Sequence, residues 1–175
     1  MAGRHGPRRL PRGPGLLLAA ALLAGCGGED PTDQAPAEAV GEEDTVSQDL
    51  EERPDTSGLV PADTDPPGQL VVEDVAVGDG PAAGDGDRLA VDYVGVRWSD
   101  GGEFDASWER GQPLELTLGA GQVIAGWEQG LQGMQVGGRR IITIPPDLAY
   151  ADRGAGGVIG PGETLVFVVD LRAIG

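Results

Sequence analysis

The chain is 175 residues long and sets 29 acidic side chains against 12 basic ones, a formal net charge of −17. That balance excludes phosphate-neutralising contacts with nucleic acid and electrostatic docking on anionic lipid. Cys26 and His5 are the single cysteine and the single histidine, which excludes a disulfide framework and leaves the rest of the chain without the side chains that His-dependent hydrolysis and most zinc sites need.

From the N-terminus, Arg4, Arg8, Arg9 and Arg12 form a basic stretch, and Leu16–Leu23 an apolar one. The apolar run is far shorter than the roughly 20 residues of a bilayer-crossing helix but suits the hydrophobic region of a signal peptide. Leu23-Ala24-Gly25-Cys26 follows at once and looks like a bacterial lipobox, in which Cys26 becomes the lipidated first residue of the mature chain. A plain secretory signal that happens to contain a cysteine is the alternative. Arg8-Arg9 leaves export by the general or the twin-arginine route open. Residues 1–25 are thus expected to be a lipoprotein signal peptide, with the mature protein tied by its lipid to the outer face of the bacterial cytoplasmic membrane.

Residues 26–68 read as the lipidated cysteine and a disordered acidic tether. Thirteen carboxylates, from Glu29 to Asp65, face the one base Arg53, prolines recur and aromatics are missing. Such a composition cannot bury enough apolar surface to offset its ordering entropy. Residues 69–175 are of ordinary size for one domain.

Within the domain the pattern predicts strands at Leu70–Val77, Leu89–Trp98, Leu114–Leu118, Arg140–Ile144 and Thr164–Ala173. Each is rich in Val, Ile and Leu and bounded by Gly, Asp or Pro. In the last, Leu165, Phe167, Val169 and Leu171 alternate onto one face, while Val166, Val168 and Asp170 make the other face unusually apolar. One helix is predicted, Val123–Leu131, ended by Gly133 and Gly137-Gly138. Its indole, Trp127, sits in a helix too short to build a core of its own, so the helix must lie under a sheet. The fold class is therefore α+β, an antiparallel sheet wrapped across one short helix. Asp105–Pro113 and Pro145–Gly162 are expected to be strand-free and to form the rims of any cavity.

Three Trp, two Tyr and two Phe are the whole aromatic complement. Phe104, Trp127 and Phe167 fit a buried core as well as a pocket. Tyr150, in a loop of Pro, Gly and Asp, reads as a rim residue. Asp105 is either a solvated carboxylate or a partly buried one paired with Arg110. Gly119-Ala120-Gly121 lacks the lysine and the βαβ setting of a nucleotide loop and reads as a turn before the helix.

The order Tyr93-Val94-Gly95, Glu103-Phe104-Asp105, Val123-Ile124-Ala125-Gly126-Trp127, Ala149-Tyr150, Gly157-Val158-Ile159 and Leu165-Val166-Phe167 resembles the FKBP-type peptidyl-prolyl cis-trans isomerases, over roughly Gln69 to Ile174. The resemblance implies an FKBP-like half-barrel sheet around the helix and an apolar bowl floored by Trp127. It implies that Asp105, Phe104, Tyr150, Trp127 and Ile124 carry the activity, the last through its backbone N–H and Tyr150 through its hydroxyl. Tyr93, Val123, Ile159 and Phe167 would complete the wall, Leu114 would stand where an aromatic is common, and Arg110 would brace Asp105. Ala151 departs from the glycine usual after the loop tyrosine, and Gly160-Pro161 from a Pro-Pro. The expected partners are proline-containing segments of exported polypeptides and rapamycin-type macrolides. A monomer without cofactor or metal is expected. A peptide-binding or chaperone module without catalysis, on the same fold, is the alternative.

Overall fold

The computed structural model describes residues 49–175; the signal segment, Cys26 and the first part of the tether lie outside them. Six strands form one antiparallel sheet: β1 (Val71–Ala76), β2 (Arg88–Arg97), β3 (Glu103–Ala106), β4 (Leu114–Thr117), β5 (Arg139–Ile144) and β6 (Leu165–Ile174). Their spatial order is β1-β5-β6-β2-β3, and β4 shares the outer edge of β2 with β3. The lower half of β2, Arg88–Val91, pairs with β4, and the upper half, Val94–Val96, pairs with β3. Among the described residues there is one α-helix, α1 (Ala125–Gly130), which lies against the sheet's inner face.

The alternating pattern of β6 is realised as predicted. Leu165, Phe167, Val169 and Leu171 join Leu89, Val91, Ile142, Ile144 and Leu131 in one buried cluster. The helix is shorter than predicted, and its glycines explain why it is there at all. Gly126 and Gly130, one turn apart, face β5: a Cβ on Gly126 would stand 2.3 Å from Ile144 Cγ2, and one on Gly130 2.7 Å from Ile142 Cγ2. Backbone thus packs directly on the sheet, and the core accepts α1 only where side chains are missing.

Two expectations are corrected. First, β3 was not foreseen, and it removes Asp105 and Ala106 from the supposedly strand-free rim. Its four residues include two carboxylates, so neither length nor hydropathy marks it; pairing with β2 makes it a strand. Pro145–Gly162 does lack strands, but it contains the 3-10 turns Pro146–Leu148 and Ala151–Arg153. Second, the part of the expected tether that the structure describes, residues 49–68, is a strap laid on the domain. The Leu50 carbonyl accepts a hydrogen bond from Arg172 at 2.8 Å and the Glu52 carbonyl one from Arg139 at 2.9 Å. Pro54 is buried, and the Trp98 indole N–H donates to the Thr64 carbonyl at 3.1 Å. These contacts run mainly through backbone carbonyls, which any sequence supplies, so an acidic composition does not prevent them.

The outer face of the sheet needs such a cover. Val94, Val96, Val166 and Val168 are at most 1% exposed yet stand outside the main core cluster. Beside them Arg139 and Asp170, both buried, form a two-pronged ion pair at 2.6 and 2.7 Å. A guanidinium removed from water must have its donors matched, and the strap carbonyl at Glu52 takes one of them.

Candidate functional site

A concave cavity of about 340 Å³ opens between β3, the turn before α1, and the Pro145–Gly162 loop. Its floor is Trp127, 3% exposed. Around the indole stand Tyr93 from β2 and Phe167 from β6, edge-on, with ring centroids 5.1 and 5.2 Å away. Phe104 of β3 meets Phe167 edge-on at 5.5 Å. Edge-to-face contacts of this kind place the positive rim of one ring on the negative face of the next and fix all four rings mutually. Tyr93, Trp127 and Phe167 are both core and cavity wall, so the two readings open from sequence describe the same atoms.

Gly95 is the reason Phe104 and Phe167 can close together over β2. A Cβ there would lie 2.7 Å from Phe104 Cζ and 2.8 Å from Phe167 Cε1. A bulge completes the wall. Asp105 pairs with Gly95 and Glu103 with Val96, which leaves Phe104 as the unopposed residue of the ladder. Successive residues of a regular strand point to opposite faces; the extra residue breaks that alternation, and Phe104 and Asp105, neighbours in sequence, both line the cavity.

Asp105 is paired. It accepts a hydrogen bond from the Tyr93 hydroxyl and another from Arg110 at 2.6 Å, while Arg110 also donates to the Tyr93 oxygen at 2.8 Å. Burial pushes the Asp105 carboxyl up, but the hydrogen bonds from Tyr93 and Arg110 together outweigh it and hold the group below the usual carboxylate range. Burial, aided by the bond to the Asp105 carboxylate and opposed by Arg110, raises the Tyr93 phenol to about 12. The bond to Tyr93, then that to Asp105, raises the Arg110 guanidinium further. Near neutrality the three groups are therefore fixed as phenol, carboxylate and guanidinium.

Unused donors stand at the mouth. The Ile124 N–H makes no hydrogen bond among the described residues, and neither does the Tyr150 hydroxyl, on a side chain 37% exposed. The turn that presents Ile124 is braced by a residue the sequence reading did not single out: the Glu128 carboxylate accepts from the Gly121 N–H at 2.8 Å and also from the Gly119 N–H. Gln122 accepts from the Thr117 N–H at 2.8 Å and itself lines the cavity. Gly119-Ala120-Gly121 is indeed a turn, with positive φ at both glycines; the spacing to a carboxylate one helical turn inside α1 was the signal that could have identified Glu128. On the opposite rim Ala151 has φ +49, a left-handed conformation that a glycine would adopt freely.

Of the residues expected to form the site, Tyr93, Phe104, Asp105, Leu114, Val123, Ile124, Trp127, Tyr150 and Phe167 all line this cavity. Arg110 does not; it stands behind Asp105 and Tyr93. Ile159 is buried in the core cluster, 7% exposed, and not in the lining. Cys26 lies outside the described residues.

Residues 80–172 match the model of the FKBP-type peptidyl-prolyl cis-trans isomerases. The chain belongs to this family. It is similar to an FK506-binding protein of Streptomyces anulatus, 61% identical over 111 residues that cover 63% of this chain and 90% of the relative. Among solved structures it resembles AtFKBP13, with a TM-score of 0.57 and 39% identity over 61% of this chain and 93% of that one. It also resembles a peptidyl-prolyl cis-trans isomerase from Pseudomonas syringae, with a TM-score of 0.54 and 37% identity over 61% of this chain and 75% of the other. The chain is thus a peptidyl-prolyl cis-trans isomerase with the FKBP antiparallel sheet and its one short helix. The strap, residues 49–68, precedes the family match.

Proposed function

We propose that this isomerase serves exported polypeptides from a lipid anchor on Cys26, at the outer face of the cytoplasmic membrane, and accelerates X-Pro rotation by desolvation and positioning. The observation that carries the mechanism is an aromatic cavity whose one charged lining residue, Asp105, is already neutralised by Arg110.

Rotation about a peptide bond costs about 18–20 kcal/mol because resonance gives C–N partial double-bond character. At the midpoint the amide is twisted, its resonance and much of its charge separation lost. Water favours the planar, more polar form; an apolar bowl withholds that preference, so the twisted form gains relative to the planar one. The proline ring rests on Trp127 between Phe104, Tyr93 and Phe167. The Ile124 N–H and the Tyr150 hydroxyl hold the carbonyls that flank it. No proton is transferred and no covalent bond forms. The same bowl takes a macrolide, FK506 by the name of the Streptomyces anulatus relative and, on this reading, one of the rapamycin type as well.

Three measurements test this. Catalysed isomerisation of a Leu-Pro peptide should fall sharply in Trp127→Ala. A variant with Trp127 as its only indole (Trp98 and Trp108 replaced by Phe) should change its fluorescence on adding rapamycin. The wild-type chain should fractionate with membranes and Cys26→Ser should not; a soluble wild-type protein without acyl mass would end the anchoring proposal.

A further inference from the structure

Phe104 stands on the least secured strand of the cavity wall. β3 has four residues, lies at the sheet edge, bonds only to β2, and its ladder is interrupted by the bulge at Phe104 itself. An unopposed residue is not held by ladder bonds of its own, and a short edge strand has no neighbour on its far side. On the C-terminal side of the bulge, Asp105 is tied by Tyr93 and Arg110. On the N-terminal side, Glu103 is tied by Arg53, whose guanidinium reaches its carboxylate at 2.5 Å.

Arg53 comes from the strap, upstream of the family match. Its backbone is fixed on both sides: the Glu52 carbonyl bonds to Arg139, which is 0% exposed, and Pro54 is buried. An arginine on a mobile segment would spend ordering entropy to make this pair; here much of that cost is already met by the strap's own contacts. We propose that Arg53 is a positioning residue of the isomerase site: by holding Glu103 at the start of β3, it fixes how Phe104 and Asp105 face Trp127 and Tyr93. This rests on the cavity being the isomerase site.

The test is a double-mutant cycle on the full chain with Arg53→Ala, Glu103→Ala, both together, Arg53→Lys, and the reversed pair Arg53→Glu with Glu103→Arg. Each variant is followed by kcat/KM on a Leu-Pro peptide and by amide hydrogen exchange of the segments containing β3 and β6. The side chains are 44% and 29% exposed, so the pair is a half-solvated one and the loss in either alanine variant should be roughly two- to fivefold in kcat/KM. The double variant should lose no more than either single one, Arg53→Lys and the reversed pair should recover part of the rate, and exchange should quicken in β3 while β6 stays protected. Additive effects, or unchanged kcat/KM, with unaltered exchange in β3, would overturn the proposal. If the wild-type chain did not isomerise X-Pro peptides, the function proposed above would fail, and β3 exchange in the same variants would still decide whether Arg53 holds the strand.

Discussion

Replacing Asp105 separates the contributions of charge and shape at the site. In Asp105→Val the Tyr93 hydroxyl loses its acceptor, and Tyr93 is only 6% exposed, so water cannot readily replace it. Leaving a buried donor unmatched costs about 1–3 kcal/mol. Arg110, with 43% of its side chain exposed, recovers hydration and adds little. Asp105→Asn keeps an acceptor for Tyr93 but turns an amide N–H towards Arg110, so its cost should be the smaller. The pH dependence supplies the check. The Asp105 carboxyl is held below the ordinary range when folded, so the stabilisation it gives is present above its unfolded value and is lost as pH falls through the folded one. In urea unfolding, wild type should exceed Asp105→Asn near pH 6, and the gap should narrow as pH is lowered past the carboxylate range. A gap that did not change with pH, or a valine variant as stable as wild type, would refute the role given to this network.

Tyr150→Phe removes one neutral donor at the rim and should lower kcat/KM by about tenfold at most, equivalent to about 1–1.5 kcal/mol; complete loss would assign the hydroxyl a different task. Gly126→Ala should destabilise by about 1–3 kcal/mol, because its Cβ would stand 2.3 Å from Ile144 Cγ2 in a close-packed core, and a higher melting temperature would show that α1 does not rest on β5 as described. Ala151→Gly should raise stability by up to about 1 kcal/mol, since it relieves a left-handed alanine at φ +49 while adding freedom to the unfolded chain; thermal melting decides the sign. Tyr93, isolated in a Tyr150→Phe background, should ionise near pH 12 in ultraviolet titration. Because that folded value is raised, its stabilisation is intact below about pH 10 and disappears as pH rises through 12.

Much of this molecule was legible in its sequence because its long strands bury whole faces. β2 and β6 announce themselves by runs of Val and Leu, and alternation picks out the face that carries Phe167. The resemblance of ordered motifs then brought the expected site residues together, and nine of the eleven line one cavity. What could not be read depends on tertiary partners. β3 carries two charges in four residues and is a strand only because β2 is beside it. The bulge that turns Phe104 and Asp105 to the same side is a property of two strands, not of one. Ile159 lies in a loop whose sequence does not distinguish facing the cavity from packing beneath it. The strap reads as solvated because acidic side chains dominate it, yet its hold on Arg139 and Arg172 runs through backbone carbonyls, to which composition is blind.

The central claim is that the isomerase works by a dry, fixed bowl and not by proton transfer. It is tested most directly by kcat/KM for a Phe-Pro peptide between pH 6 and 8. Tyr93 ionises near 12 and Asp105 below the carboxylate range, and the described residues contain no histidine, so the expected profile is flat. A bell-shaped profile within that range would mean that a titrating group takes part in the reaction, and the mechanism proposed here would be wrong.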